Sequence, residues 1–400
     1  MPQIYIVGTC DTKDKELRYV QELIKAEGGR ALIVDVGVYP VPGADGERIC
    51  LRDRKSEFFR DIHDRGKALA AMGELLETFL KEHQLDIAGI IGMGGSCNTA
   101  LVTRGMRVLP VGIPKIMVST VASGDVAPYV GASDICMMPS VSDVQGLNVI
   151  SRRILGNAAH AILGMVTHPV PEVEVQNRRP LVGLSMFGVT TPCVQQLCAL
   201  LEDRFETVVF HATGTGGKCL EKIIDSGMAD AVIDLTLTEI CDLMMGGVMS
   251  AGEDRMGAVI RRKIPCIFSV GALDMVNFAA LPTVPEKYRD RRLCVHNENV
   301  TLMRTTAEEN QRMGRWIGDK LNLCEGPVRM LLPEKGVSAL DAPGMPFYAP
   351  GADAALFKAL EDTVKQTEKR RLVRLPYHIN DPEFAAAVKQ NFDEIVSDIS

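Results

Sequence analysis

Apolar positions come in short blocks that alternate with helical spacing. Ile4 to Gly8 is an apolar run, and residues 14–27 then place Leu17, Val20, Leu23 and Ile24 at intervals of three and four. Gly28-Gly29 stops that helix, and residues 31–37 (ALIVDVG) form a second apolar run. Strand, helix, strand in this order predicts a parallel sheet covered on both faces. The pattern predicts a helix over 65–80, strands over 86–92, 114–119 and 133–139, and helices over 98–108 and 145–165. Residues 167–180 (THPVPEVEVQNRRP) carry three prolines and no helical period, so they read as an extended linker. The grammar then restarts, with strands at 181–187, 207–212, 230–235 and 265–270 and a helix over 191–201. Past 280 it is less regular. A turn-rich loop is predicted at 343–353, and terminal helices at 352–365 and 381–396. The expected architecture is α/β: two tandem Rossmann-like doubly wound domains with a cleft between them, over 1–172 and 180–400.

Composition narrows the class. At 400 residues two domains are the first expectation. A formal charge of −7 gives no broad basic field, which argues against nucleic acid and anionic membranes as partners. No run of about 18 apolar residues appears, so no transmembrane helix is expected. The start, MPQIYIVGTCDTK, lacks a basic segment followed by a long apolar one, so it reads as a first strand rather than a signal peptide. Eleven scattered cysteines without a CxxC pair fit free thiols in a reducing cytoplasm.

Candidate chemistry sits where strands end. Gly92-Met93-Gly94-Gly95-Ser96-Cys97-Asn98-Thr99 joins an apolar strand to a helix. Glycines there admit close backbone approach, and helix N-terminal N–H groups favour an anion. The same residues also describe a plain capped turn. Gly8-Thr9-Cys10-Asp11-Thr12-Lys13 is a second such loop, read as a helix cap or a phosphate contact. Residues 118–125 (VSTVASGD) cluster hydroxyls with Asp125, and Asp125 or Asp134 is the candidate Mg²⁺ carboxylate. Neither Gly-rich loop is a Walker loop or a GxGxxG fingerprint. In the second half, residues 211–218 (HATGTGGK) form a further glycine loop. His211, Asp234, Glu239, Asp274 and His296 stand near strand ends as candidate proton-transfer groups. HExxH and GxSxG are absent. Cys10 and Cys97, at expected helix N-termini, are candidate nucleophiles of an ATP-independent hydrolase or lyase.

Several long segments carry a resemblance. IYIVGTCDTKDKEL, IGMGGSCNTAL, VSTVASGDVAPYVGASDICMMPSVSDVQGLN, HATGTGGKCLEKII, GALDMVNFA, HNENVTLMRTTAEEN and LPEKGVSALDAPGMPF resemble the ATP-binding family of the tomato mosaic virus resistance protein and its uncharacterised bacterial relatives. The resemblance covers almost the whole chain. It implies an N-terminal nucleotide-binding domain, a C-terminal family domain, a homodimer, and ATP with Mg²⁺ in the first half. The family's phosphate loop falls on Gly92, Gly94, Gly95, Ser96 and Thr99. Asp11, Thr12 and Lys13, and Ser119, Thr120, Ser123 and Gly124, complete the implied cofactor site. Plant members carry an additional TIM-barrel-like region, so a separate barrel protein is an expected partner. The expected function is an ATP-dependent enzyme acting on a small anionic metabolite. The alternative is a nucleotide-binding regulator or scaffold that does not consume ATP.

Overall fold

The first apolar run forms β1 (Gln3–Gly8), and its alternation builds two cores at once. Ile4 and Ile6 pack among Leu17, Val20 and Ile24 of α1 (Cys10–Ala26). Tyr5 and Val7 point the other way, into a second cluster. A strand buried on both faces needs helices on both sides, which only a parallel sheet with crossovers supplies. The chain continues through β2 (Ala31–Asp35), β3 (Arg48–Cys50), α2 (Ser56–Asp61), α3 (Arg65–Glu82) and β4 (Ile87–Gly94). Then come α4 (Ser96–Met106), β5 (Lys115–Ser119), α5 (Ala127–Val130), β6 (Cys136–Pro139) and α6 (Val149–Thr167). In a computed structural model that describes residues 2–40, 47–62, 64–169 and 179–397, these elements make one compact unit, Met1–Glu172. Most of the expected linker, residues 170–178, lies outside the described residues.

All six strands of this sheet run parallel, in the order β3-β2-β1-β4-β5-β6. That is the Rossmann order, with the direction of winding reversing between β1 and β4. The strand expected at 133–139 shortens to β6 because Asp134 turns aside to Lys115 Nζ (2.6 Å) and the Gly112 N–H (2.8 Å).

The second unit, Val173–Ser400, repeats the alternation with a different order. Its elements are β7 (Leu181–Met186), α7 (Thr191–Leu201), β8 (Glu206–His211), α8 (Thr215–Asp225), β9 (Ala231–Thr236), α9 (Thr238–Met245), α10 (Gly257–Arg262) and β10 (Cys266–Gly271). They continue as β11 (Met275–Phe278), β12 (Leu293–Asn297), β13 (Val300–Arg304), α11 (Ala307–Asn322), β14 (Val328–Pro333), α12 (Pro350–Thr363), β15 (Arg370–Leu375) and α13 (Pro382–Ile395). The parallel sheet runs β15-β14-β10-β9-β7-β8, so winding reverses at β7. This is the flavodoxin-like order with one further strand. The two halves therefore share a grammar but not a strand order.

A three-stranded antiparallel sheet, β11-β13-β12, is inserted after β10. His296 and Asn297 do end a strand, β12, but of this antiparallel sheet rather than the parallel one; Glu298-Asn299 turns the chain into β13, and the Asn299 N–H donates to Asn297 Oδ1 (2.9 Å).

Candidate functional site

In a sheet of the first unit's order, ligands bind outside the carboxyl ends of the strands where winding reverses. Here β1 and β4 meet at that point, and α1 and α4 both begin there. Gly92 sits in β4, where a Cβ would fall 2.5 Å from Val102 Cγ1, so its role is close strand–helix packing. Gly94 has φ +147°, and a Cβ there would press on Asn98. Thr99 is fully buried; its Oγ1 donates to the Gly95 carbonyl (2.9 Å) and sits 2.7 Å from Ser119 Oγ. Ser119 Oγ in turn accepts the Val121 N–H (3.1 Å). These residues hold the loop from behind. Gly95 caps α4 without any side-chain acceptor, so first-turn N–H groups stay available for a ligand.

The α1 turn is fixed by Asp35, a residue the sequence reading passed over. Its Oδ1 accepts the N–H groups of Cys10 (2.9 Å) and Gly37 (2.8 Å). The signal was an apolar strand ending in a lone carboxylate. In dinucleotide folds a carboxylate reached from this unit binds ribose; here it is spent on the two loops.

A cavity of about 780 Å³ opens between the two helix starts. Asp11, Thr12, Lys13, Gly95, Ser96, Cys97 and Asn98 line its polar side. Val36, Val38, Leu69, Leu101 and exposed Tyr39 line its apolar side, and none of these was singled out from sequence. Among the described residues Asp11 Oδ1 is buried without a hydrogen-bond partner, and burial pushes its carboxyl above the usual carboxylate range. A second cavity of about 740 Å³ shares Gly95 and Ser96. Its wall adds Ser119, Thr120, Ser123, Ser140, Ser142 and Asp143. Val141, a β-branched residue at φ +64°, belongs to the same wall.

The remaining first-unit candidates lie elsewhere. Gly92, Gly94, Thr99, Gly124 and Asp125 are not among the residues lining these two walls. Asp125 Oδ1 accepts the Ala127 N–H (3.0 Å), and Asp134 is committed to Lys115. Among the described residues no cluster of three His, Cys, Asp or Glu side chains stands ready for a metal. Cys10 is buried, and burial together with Asp35 raises its thiol far above the ordinary range. That removes it as a nucleophile, because the thiolate is the reactive form.

Of the five acid–base candidates of the second unit, only Asp234 and Glu239 come together, on one arginine. Asp234 and Glu239 are buried on Arg255, itself 1% exposed. Arg255 donates to Asp234 through Nη1 (2.6 Å) and Nη2 (2.7 Å), to Glu239 through Nε (2.8 Å) and to Glu221 (3.1 Å). Glu239 Oε1 also takes the Gly214 and Gly217 N–H groups, which explains the glycine loop as a brace. Asp274 belongs to another buried cluster, accepting from Ser338 Oγ (2.7 Å). His211 is exposed and stacks on Phe187 (5.4 Å), and His296 is exposed on the antiparallel sheet. At the second unit's own reversal point, Thr190 and Thr236 hydroxyls meet at 2.8 Å in a buried pair.

The fold and site thus define a two-unit α/β protein whose first unit has Rossmann order and carries a glycine-loop cavity at its reversal point. The chain belongs to the uncharacterised protein family UPF0261: the family's N-terminal domain matches residues 2–171 and its C-terminal domain residues 179–396. It is 52% identical to a UPF0261 protein of Rhizobium meliloti, over 99% of this chain and all of that one. It is 44% identical to a UPF0261 protein of Clostridium tetani, over 96% of this chain and 97% of that one. The ToMV resistance protein Tm-1(GCR237) of Solanum lycopersicum is 42% identical over 98% of this chain, which spans 56% of the tomato protein's length.

Proposed function

We propose that the first unit binds ATP, and that the protein is an ATP-dependent enzyme acting on a small anionic metabolite. One observation carries the reading: the starts of α1 and α4, the latter without a side-chain cap, and Lys13 line a single cavity at the reversal point of a Rossmann-order sheet. Helix N-termini and backbone N–H groups favour phosphates. The apolar wall of Val36, Val38, Leu69 and Leu101, with Tyr39 at its edge, suits a purine base. The unpartnered Asp11 Oδ1 suits a ribose hydroxyl or a cation. Mg²⁺, when bound, neutralises phosphate charge; it needs only one or two carboxylates beside phosphate oxygens, and Asp11 supplies one on this wall. The hydroxyls of Ser119, Thr120, Ser140 and Ser142 in the adjoining cavity would orient the far end of the phosphate chain or the second substrate.

The test is calorimetric titration of ligand-free protein with Mg-ATP, wild type beside Gly95→Val. A Cβ at 95 lies 3.8 Å from Thr120 Oγ1, so the variant keeps its fold while filling the phosphate approach. At least tenfold weaker binding with unchanged thermal unfolding is expected. Equal affinity in the variant, or no binding by the wild type, sinks the reading.

A second reading, a nucleotide-binding regulator that does not consume ATP, is favoured by the scatter of the second unit's acid–base candidates. Multi-turnover phosphate release dependent on an added metabolite excludes it.

A further inference from the structure

A third cavity, of about 490 Å³, lies in the second unit beyond the carboxyl ends of β14 and β15. None of its residues was a candidate from sequence, although the segment LPEKGVSALDAPGMPF runs past it. Lys335 and Glu334 reach it from the end of β14, His378 and Asp381 from the end of β15, and Asp353 from the first turn of α12.

The chemistry of these groups is uneven. Glu334 is paired with Arg374 (3.2 Å). Among the described residues no carboxylate pairs with Lys335, whose ammonium is exposed at the rim. His378 is fixed as wall: its Nδ1 accepts the Asn380 N–H (3.1 Å), so Nε2 carries the hydrogen directed at the Ser338 carbonyl (2.9 Å). Asp381 lines the cavity, with Oδ2 taking the His378 N–H (2.8 Å).

Asp353 differs from the rest. It is 6% exposed, lines the cavity, and accepts from Arg304 Nη2 (2.7 Å). Fully buried Asp341 stands behind it, 3.6 Å from the same guanidinium, and accepts the Val337 N–H (2.9 Å). Two carboxyl groups on one buried arginine share a proton more easily than they both ionise. Burial and the Asp341 charge push the Asp353 carboxyl up, against the pull of Arg304. Asp353 and Asp341 share that proton, so Asp353 meets the cavity as an acceptor without a full negative charge.

We propose that this cavity binds a small polyhydroxylated carboxylate, its carboxylate on Lys335 and its hydroxyls on Asp353 and Asp381. One unpaired cation at the rim selects one anionic group. Carboxyl acceptors at Asp353 and Asp381 on its wall select hydroxyls. A second anionic group would meet Asp381 and Glu334. The volume lies within the range of small-ligand pockets. This inference is independent of nucleotide binding in the first unit.

The experiment is calorimetric titration of the full chain with D-gluconate, with sorbitol as the uncharged homologue, on wild type and Lys335→Met. Lys335 is exposed, so its replacement leaves the core intact. Saturable gluconate binding is expected, at least tenfold weaker in Lys335→Met, with no binding of sorbitol. Mg-ATP titration of the same variant should be unchanged, which separates this site from the first unit's. The proposal is overturned by absence of gluconate binding to the wild type, by equal affinity in Lys335→Met, or by sorbitol binding as tightly as gluconate.

Discussion

Gly92 and Gly95 stand three residues apart and differ in what a side chain would meet. At 92 a Cβ falls 2.5 Å from Val102, inside the packed layer between β4 and α4; at 95 it meets only Thr120, at 3.8 Å. Gly92→Ala should therefore cost about 1–3 kcal/mol in denaturant unfolding, the usual range for overpacking, whereas Gly95→Ala should be close to neutral. Arg255 gives the opposite kind of sensitivity. It is buried with three carboxylates, and Arg255→Met leaves Asp234, Glu239 and Glu221 uncompensated. A loss of about 3–5 kcal/mol is expected, read from the denaturation midpoint. The sequence displayed Asp234 and Glu239 as polar strand ends but not Arg255, which reaches them from a loop sixteen or more positions later. Buried ion pairing and catalytic poise put the same residue types at a strand end, so only geometry separates them.

Element by element, the alternation of apolar blocks was enough to place most helices and parallel strands of both units, because burial on two faces leaves a continuous run of apolar residues. It missed the parallel strands β3, β14 and β15 and the antiparallel β11, β12 and β13, where β12 is exposed at Val295 (55%) and carries no clean alternation. It also passed over α11, although Thr306 and Glu309 spell a capping box there: Thr306 Oγ1 accepts the Glu309 N–H (3.2 Å) and Glu309 Oε2 accepts the Thr306 N–H (2.8 Å). Thr306→Ala should lower stability by about 1 kcal/mol in chemical denaturation. The uncapped start of α4 is the contrasting case. A helix that omits its side-chain cap at the wall of a cavity keeps its N–H groups for a ligand, and the sequence showed this only as an ambiguous glycine loop.

For the whole molecule, the second unit's buried carboxyls set a pH dependence. Burial raises Glu221, Asp242 and Asp274 to about 7, well above ordinary carboxylates at about 4. The folded state then holds protons that the unfolded chain releases, so their contribution is full below about pH 4 and is lost as pH rises through 7. Carboxylates held low, such as Asp134 and Glu309, act in the opposite direction, in the acid range below their ordinary pKa. The thermal midpoint should therefore fall between pH 5 and pH 7.5, and Asp242→Asn should flatten that slope. A midpoint that rises over this window contradicts the assignment.

The α/β class, nine of the twelve parallel strands among the described residues and the glycine loops were already written in the residue pattern, because these follow from local period and from which residues must be buried. Family membership was written there too, through long segments shared with relatives. Strand order was decided only in the tertiary structure: both halves begin strand–helix–strand, yet one winds β3-β2-β1-β4-β5-β6 and the other places β7 between β8 and β9. Nothing in a buried apolar run records which neighbour it pairs with. The same holds for the sites. Tyr39 and Lys13, or Lys335 and Asp353, are brought to one cavity by the crossovers, and a carboxylate's role depends on whether a buried arginine or an open cavity faces it.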